Sequence, residues 1–143
     1  MAISVKRITL WRGKVEDRPG ALADVLQPLA AAGADLQVVM GYHEPGEKLR
    51  AVIELYPVSG KKLTAAAQGA GLSAAPMPAL LVNGDNRPGL GHAMSRAIGD
   101  AGISLSFLVA QTVGRKYSAV FGFSSEADAV RAARLIKSAA ARR

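Results

Sequence analysis

The sequence has no cysteine, which excludes disulfides and thiolate metal ligands. Aromatic residues are scarce, one Trp, three Tyr and three Phe in 143 residues, so there is little material for a base-stacking surface. Histidine occurs twice, at His43 and His92, and no metal-ligand spacing joins the pair. No apolar run approaches the roughly 20 residues needed to cross a bilayer. Met1–Arg7 lacks the apolar core of a secretory leader, and the expected setting is cytoplasmic. Gly-x-Ser-x-Gly, Gly-x-Gly-x-x-Gly and Walker-type loops are all missing. Neither a catalytic constellation nor a cofactor or metal site is therefore expected, and the chain reads as a non-enzyme.

Acidic residues are also in short supply, 11 against 18 basic ones, for a net charge of +7. The deficit is uneven. Up to Pro76 there are nine basic and seven acidic residues, and after it nine and four. Basic charge raises the question of nucleic acid, but here it is scattered, with some of it in the tail (Lys137, Arg142, Arg143). Scattered charge is the pattern of a solvated surface.

What is present is a repeat. Asp17-Arg18-Pro19-Gly20 recurs as Asn86-Arg87-Pro88-Gly89, an offset of 69 residues from 17 to 86. The same offset carries Leu29 onto Ile98, Ala32-Gly33 onto Ala101-Gly102 and Leu36 onto Leu105, while Arg50-Ala51-Val52 matches Ser118-Ala119-Val120 at 68. Turn signals and apolar positions in one register imply a duplication.

Each copy has the same grammar. In the first, Val5 to Val15 alternates as a strand. Asp17 is placed to cap a helix and Pro19 to begin it. Leu22, Val25, Leu26 and Leu29 form a buried stripe at helical spacing, which Gly33 is suited to end. Pro28 inside this helix should bend or weaken it. A strand over residues 35–40, a turn at His43-Glu44-Pro45-Gly46-Glu47, a strand over 49–55, a helix over 61–70 and a short strand over 72–75 complete the copy. Pro76 and Pro78 mark the junction. The second copy repeats strand (79–83), helix (88–101), strand (103–111), turn at Gly114, strand (117–123) and helix (125–139), with Ser125-Glu126-Ala127-Asp128 as a capping box. Too few residues follow for a last strand. The expected fold class is α+β, two tandem βαββαβ units with antiparallel sheets and helices on one face, divided as residues 1–76 and 77–143. The open edge left in the second unit is a candidate dimer seam.

The strand-to-helix loops are the candidate site. Gly20, Gly89 and Gly91 let an anion approach the free amides at a helix start, where the helix dipole favours it. Asn86 can donate and accept, and ionised Asp17 only accepts, which suits an ammonium. The simplest structural reading of the same residues is a cap, a helix start and a tight turn.

Strand, Asp17/Asn86-Arg-Pro-Gly, helix, Ala-Gly and strand together resemble the ACT domain family of small-molecule regulatory modules, over nearly the whole chain and in two copies. The resemblance implies ferredoxin-like units that pair side by side and bind amino-acid effectors between them. In serine-binding members the loop Asn and an Asn after the helix-ending Gly contact the ligand; those positions here are Asn86 and Asp17, then Ser104 and Asp35. The family's histidine two residues before the loop Asn is replaced by Gly84 or Val15. The ligand-binding set is then Asp17, Arg18, Gly20, Ala21 and Asp35 in one copy and Asn86, Arg87, Gly89, Leu90 and Ser104 in the other. A homodimer, and a partner enzyme or regulator, are the expected assemblies.

Two other readings stay open. One is a structural or protein-interaction module without a ligand. The other is RNA binding, because RNA-recognition domains share this topology and Tyr117, Phe121 and Phe123 lie on the strand that carries their stacking aromatics. An enzyme would return if Asp17, Asp35 and His43 converged.

Overall fold

A computed structural model of the chain describes residues 3–46 and 49–142. Glu47, in the expected turn, and Arg143, in the basic tail, lie outside them. The elements run β1 (Ile3–Ile8), β2 (Trp11–Glu16), α1 (Ala21–Ala31), β3 (Val38–His43), β4 (Arg50–Tyr56), α2 (Gly60–Gly69), β5 (Ser73–Ala74), β6 (Ala79–Asp85), α3 (Leu90–Asp100), β7 (Phe107–Val113), β8 (Lys116–Gly122) and α4 (Glu126–Ala141). Among the described residues no helix is long and apolar enough to cross a membrane.

The chain divides into two compact units, Thr9–Pro76 and Met1–Ile8 with Met77–Arg143. Each has a four-stranded antiparallel sheet, ordered β3-β4-β2-β5 and β1-β6-β8-β7. Both orders are consistent with ferredoxin-like units.

Two expectations need correction here. The alternating stretch from Val5 to Val15 is two strands, broken at Thr9 and Leu10, and they enter different sheets. The division is therefore not a single cut after Pro76. The second copy does end at α4 without a last strand of its own, as expected, but its edge is not open, since β1 takes the fourth position and pairs antiparallel with β6, from Ile3↔Gly84 to Ile8↔Ala79. The physical reason is that β6 would otherwise present an unpaired edge, and the N-terminal segment covers it while setting Ile3 and Val5 against the core.

The N-terminal unit buries Val25, Leu29, Ile53, Leu55, Ala67 and Leu72 between sheet and helices. The C-terminal core is larger in side chain, with Leu80, Met94, Ile98, Phe121, Phe123 and Ile136 all nearly inaccessible. Full burial of such side chains contributes roughly 1.5–3 kcal/mol each.

Helix ends follow local chemistry. Neither Asp17 nor Asn86 caps a helix, contrary to expectation. α1 and α3 start one residue after Gly20 and Gly89, which hold φ +85° and +81° and use no side-chain cap. Those angles favour glycine, and they leave Pro19 and Pro88 ahead of the helices rather than in their first turns. Gly33, at φ +84°, ends α1 as expected, with Gly33 N–H donating to Ala30 O and Ala34 N–H to Leu29 O. Pro28 removes one donor, yet α1 continues helical to Ala31, with those closing bonds just beyond it. Ser125 caps α4 as expected, accepting from Asp128 N–H at 3.1 Å.

Pairing register corrects the offset of the third strand. Val15 lies opposite Ala51 and its equivalent Gly84 opposite Tyr117, so β4 maps onto β8 from 51 to 117, an offset of 66 and not 68. His43↔Ala51 and Thr112↔Tyr117 agree. The β3–β4 hairpin is simply three residues longer than β7–β8.

Candidate functional site

The β2–α1 loop of the N-terminal unit borders a cleft of about 420 Å³ on the helix side of the sheet. Its walls are Val15 and Asp17 at the end of β2, Ala21 and Leu22 at the start of α1, Gly41 and His43 on β3, and Ala51 on β4. Cross-strand register puts His43, Ala51 and Val15 in one row and Gly41 and Ile53 in the next. Small residues keep the floor low. Nothing lies within 4 Å of where a Cβ at Gly41 would stand.

Polar groups gather at the rim. His43 Nε2 lies 2.9 Å from Asp17 Oδ2, and Asp17 N–H donates to Leu49 O at 2.8 Å, tying the loop to β4. On the opposite face of the sheet the Tyr42 hydroxyl donates to Glu54 Oε2 at 2.7 Å. Burial first, then the hydrogen bond and charge of Glu54, raise the Tyr42 hydroxyl above its ordinary value, so it stays a protonated donor. Lys14, also on that opposite face, pairs through Nζ with Glu44 Oε1 at 2.5 Å. At the helix start Ala21 N–H turns back to Arg18 O at 3.2 Å, while the next amides, of Leu22 and Ala23, have no preceding helical turn to bond. An acceptor for an ammonium and donors for a carboxylate thus stand on one small cleft.

The remaining anticipated residues separate into groups. Arg18 bonds Asp24 at 2.5 Å, which raises its already high basicity and engages it on α1. Arg87 Nη2 donates to Ala139 O at 3.2 Å and Arg142 O at 2.7 Å, holding the end of α4. Asp35 and Ser104 are exposed beyond the C-terminal ends of α1 and α3. Eleven helical residues, about 16 Å, separate them from Asp17 and Asn86 within their own units. Asp17 and His43 do meet, but Asp35 does not join them, and the catalytic convergence fails. Among the described residues no group of three or more His, Asp or Glu could hold a metal.

In the C-terminal unit Asn86 repeats the loop geometry, with its N–H on Arg115 O at 2.8 Å. The cavity behind it is filled. Tyr117 occupies the position of Ala51, is 7 % exposed and belongs to the core. A methyl group at Gly91, the equivalent of Leu22, would stand 3.6 Å from the Tyr117 hydroxyl, which places the phenol under the first turn of α3. Burial raises the pKa of this hydroxyl above its ordinary value. Leu90 is buried, and Gly89 is exposed. Sequence reasoning missed both Tyr117 as a plug and His43, Gly41 and Ala51 as cleft walls; the signal was the third-strand register, read two residues out.

The aromatics of β8 and of the residue that follows it bear equally on RNA. Tyr117, Phe121 and Phe123 are at most 7 % exposed and pack in the core, so they form no stacking platform.

No protein-family model and no curated protein matches the sequence. Solved structures do match in fold. A protein from Bacteroides thetaiotaomicron aligns over 91% of this chain and 88% of its own, with TM-score 0.73 and 12% identity. The ligand-free regulatory subunit of aspartate kinase from Thermus thermophilus aligns over 96% and 95%, with TM-score 0.65 and 15% identity. The corresponding subunit from Thermus flavus aligns over 97% of each chain, with TM-score 0.59 and 17% identity. These likenesses support an ACT-like fold.

Proposed function

We propose that this chain is a regulatory module whose N-terminal unit binds a free amino acid, or a zwitterion of similar size, in the cleft beside α1. The observation that carries the reading is the juxtaposition of Asp17, His43 and the start of α1 around a small open cavity. Asp17 would accept from the ligand's ammonium, exchanging its exposed contact with His43. The carboxylate would sit on the amides that follow Gly20, where the helix dipole favours negative charge. The side chain would run over Gly41 and Ala51. The fold shared with aspartate kinase regulatory subunits supports regulation as the output, through a partner enzyme or regulator. Assembly, as a homodimer or with that partner, has material in the sheet edges: β3 and β7 end their sheets, and Val39, Leu108, Val109 and Val113 are exposed on them.

Gly41→Val is the discriminating variant. Gly41 has an ordinary strand conformation and open space at its Cβ, so a side chain fills the cleft without straining the backbone, unlike a substitution at Gly20. A thermal-shift panel of the common amino acids should give a rise for one chemical class, as expected of a ligand well above its dissociation constant. Gly41→Val should remove the rise while folding normally, and Asp17→Asn should weaken it about tenfold. A rise that survives Gly41→Val places binding elsewhere. A flat panel from folded protein favours an interaction module instead.

A further inference from the structure

We propose a second site, for a small phosphorylated anion, on the helix face of the C-terminal unit, in the groove between α3 and α4. The groove holds about 580 Å³, within the ordinary range for small-molecule sites, roughly 300–1,000 Å³. His92 and Arg96 line it from α3, Arg87 from the loop before α3, and Arg142 from the end of α4. Arg131 Nη2 adds a fourth guanidinium at the far end, donating to the lining carbonyl of Ala101 at 3.2 Å. Among the described residues Asp100 is the lone carboxylate of the lining. Its contact with Arg96, at 3.3 Å between two side chains that are each about two-thirds exposed, is of the weak, exchangeable kind. The other acidic groups of α4 are at its opposite end, Glu126 on Arg7 and Asp128 in the first turn.

Arg87 is held in place by the carbonyls of Ala139 and Arg142, and those bonds use only one of its terminal nitrogens. The guanidinium is therefore fixed with donors to spare, a pre-organised fork suited to phosphate oxygens. Between the charges the floor is alanine, from Ala93 and Ala97 to Ala139, flat enough for the body of a ligand.

The other unit supplies an internal control. Its groove beside α1, about 450 Å³, is lined by Arg18, Glu16, Asp24 and Gln27, one cation and two anions, with Arg18 bound to Asp24. At the aligned positions His92 replaces Ala23, Ala93 replaces Asp24 and Arg96 replaces Gln27. The fold is thus built equally well without this positive charge. Several converging cations against one described carboxylate call for a ligand with two or more negative charges, and phosphate groups favour this site over carboxylates by carrying more charge and more acceptor oxygens for several guanidinium forks.

Pyrophosphate titrated into the full chain at constant ionic strength, followed by amide NMR and calorimetry, tests the site. The expected result is saturable binding with shifts at Ala93, Ala97 and Ala139. Arg96→Gln, an exposed helical change that restores the residue of the other copy, should weaken it roughly tenfold or more. His92→Ala should weaken it less, and Gly41→Val should leave it unchanged, which separates this site from the amino-acid cleft. Succinate should bind about tenfold more weakly than pyrophosphate. Non-saturable binding, an unaltered affinity in Arg96→Gln, or equal affinity for succinate would each overturn the proposal.

Discussion

The two copies differ at positions that their sheet registers make equivalent. At the same point of the sheet, opposite the last turn of the first strand, one carries Ala51 and the other Tyr117. Around them Val15 and Leu22 in one copy become Gly84 and Gly91 in the other, so volume removed from two positions is returned at a third. The result is an open cleft with Asp17 and His43 at its rim in the N-terminal unit, and a closed core with Asn86 and Thr112 in the C-terminal one. The helix faces diverge as well, one mixed in charge and the other basic. Duplication has therefore kept a frame and separated its surfaces.

The units also complete their sheets differently, and that contrast yields the largest expected effect. The N-terminal unit uses the two-residue strand β5 from its own end, and the C-terminal unit uses six-residue β1. Removing residues 1–8 should strip Ile3 and Val5 from the core and bare β6. The C-terminal unit should lose on the order of 3 kcal/mol, read as a lower urea midpoint and faster hydrogen exchange in β6 and β8.

Exchanging the plug should come next. Tyr117→Ala should cost the C-terminal unit about 3 kcal/mol or more by cavity formation, while Tyr117→Phe should cost far less because the hydroxyl lies by the helix start. In the reverse direction Ala51→Tyr should close the N-terminal cleft and abolish the amino-acid response. Overpacking against Leu22 should cost about 1–3 kcal/mol, part of which Leu22→Gly restores. Denaturant titration and the ligand panel measure the two consequences separately.

The smallest effect concerns a feature common to both copies, an acidic residue at the end of the first strand opposite a basic one on the third: Glu16↔Arg50 and Asp85↔Lys116. The hydrogen bond from Lys116, then its charge, hold the Asp85 carboxyl below its ordinary value. A depressed carboxyl contributes stability that is present above its unfolded value, roughly 3.9, and is lost as pH falls through the folded one. Lys116→Gln should therefore lower stability slightly at neutral pH, since the pair is exposed, and leave it unchanged below the folded value, so that the acid limb becomes slightly flatter.

Much of the frame was legible in the sequence because it depends on local chemistry. Gly33 and Gly102 ending helices, Ser125 beginning one, and the apolar stripes through Leu29 and Ile98 all follow from short-range rules. Partner choice is different. Alternation through Val5 to Val15 announces a strand but carries no mark of which edge it joins, so β1 was assigned to the wrong unit. The same limit hid the plug. Ala51 and Ala119 look alike in sequence, and only the pairing of Gly84 with Tyr117 shows that the true equivalent of Ala51 is a buried phenol. Of the candidate site, the loop residues were readable as polar punctuation, whereas His43 and Gly41 reach the cleft through a hairpin whose length differs between copies. Arg87 illustrates the converse: a loop motif residue whose donors serve α4, 52 residues away.

The central claim is that one copy binds and the other is filled. Its most direct test is an amide NMR titration of the intact chain with the amino acid that gives the strongest thermal shift. Saturable shifts are expected at Ala21, Gly41, His43 and Ala51, with Gly89, Leu90 and Thr112 unmoved. Equal shifts at both loops, or shifts confined to the second, would contradict it.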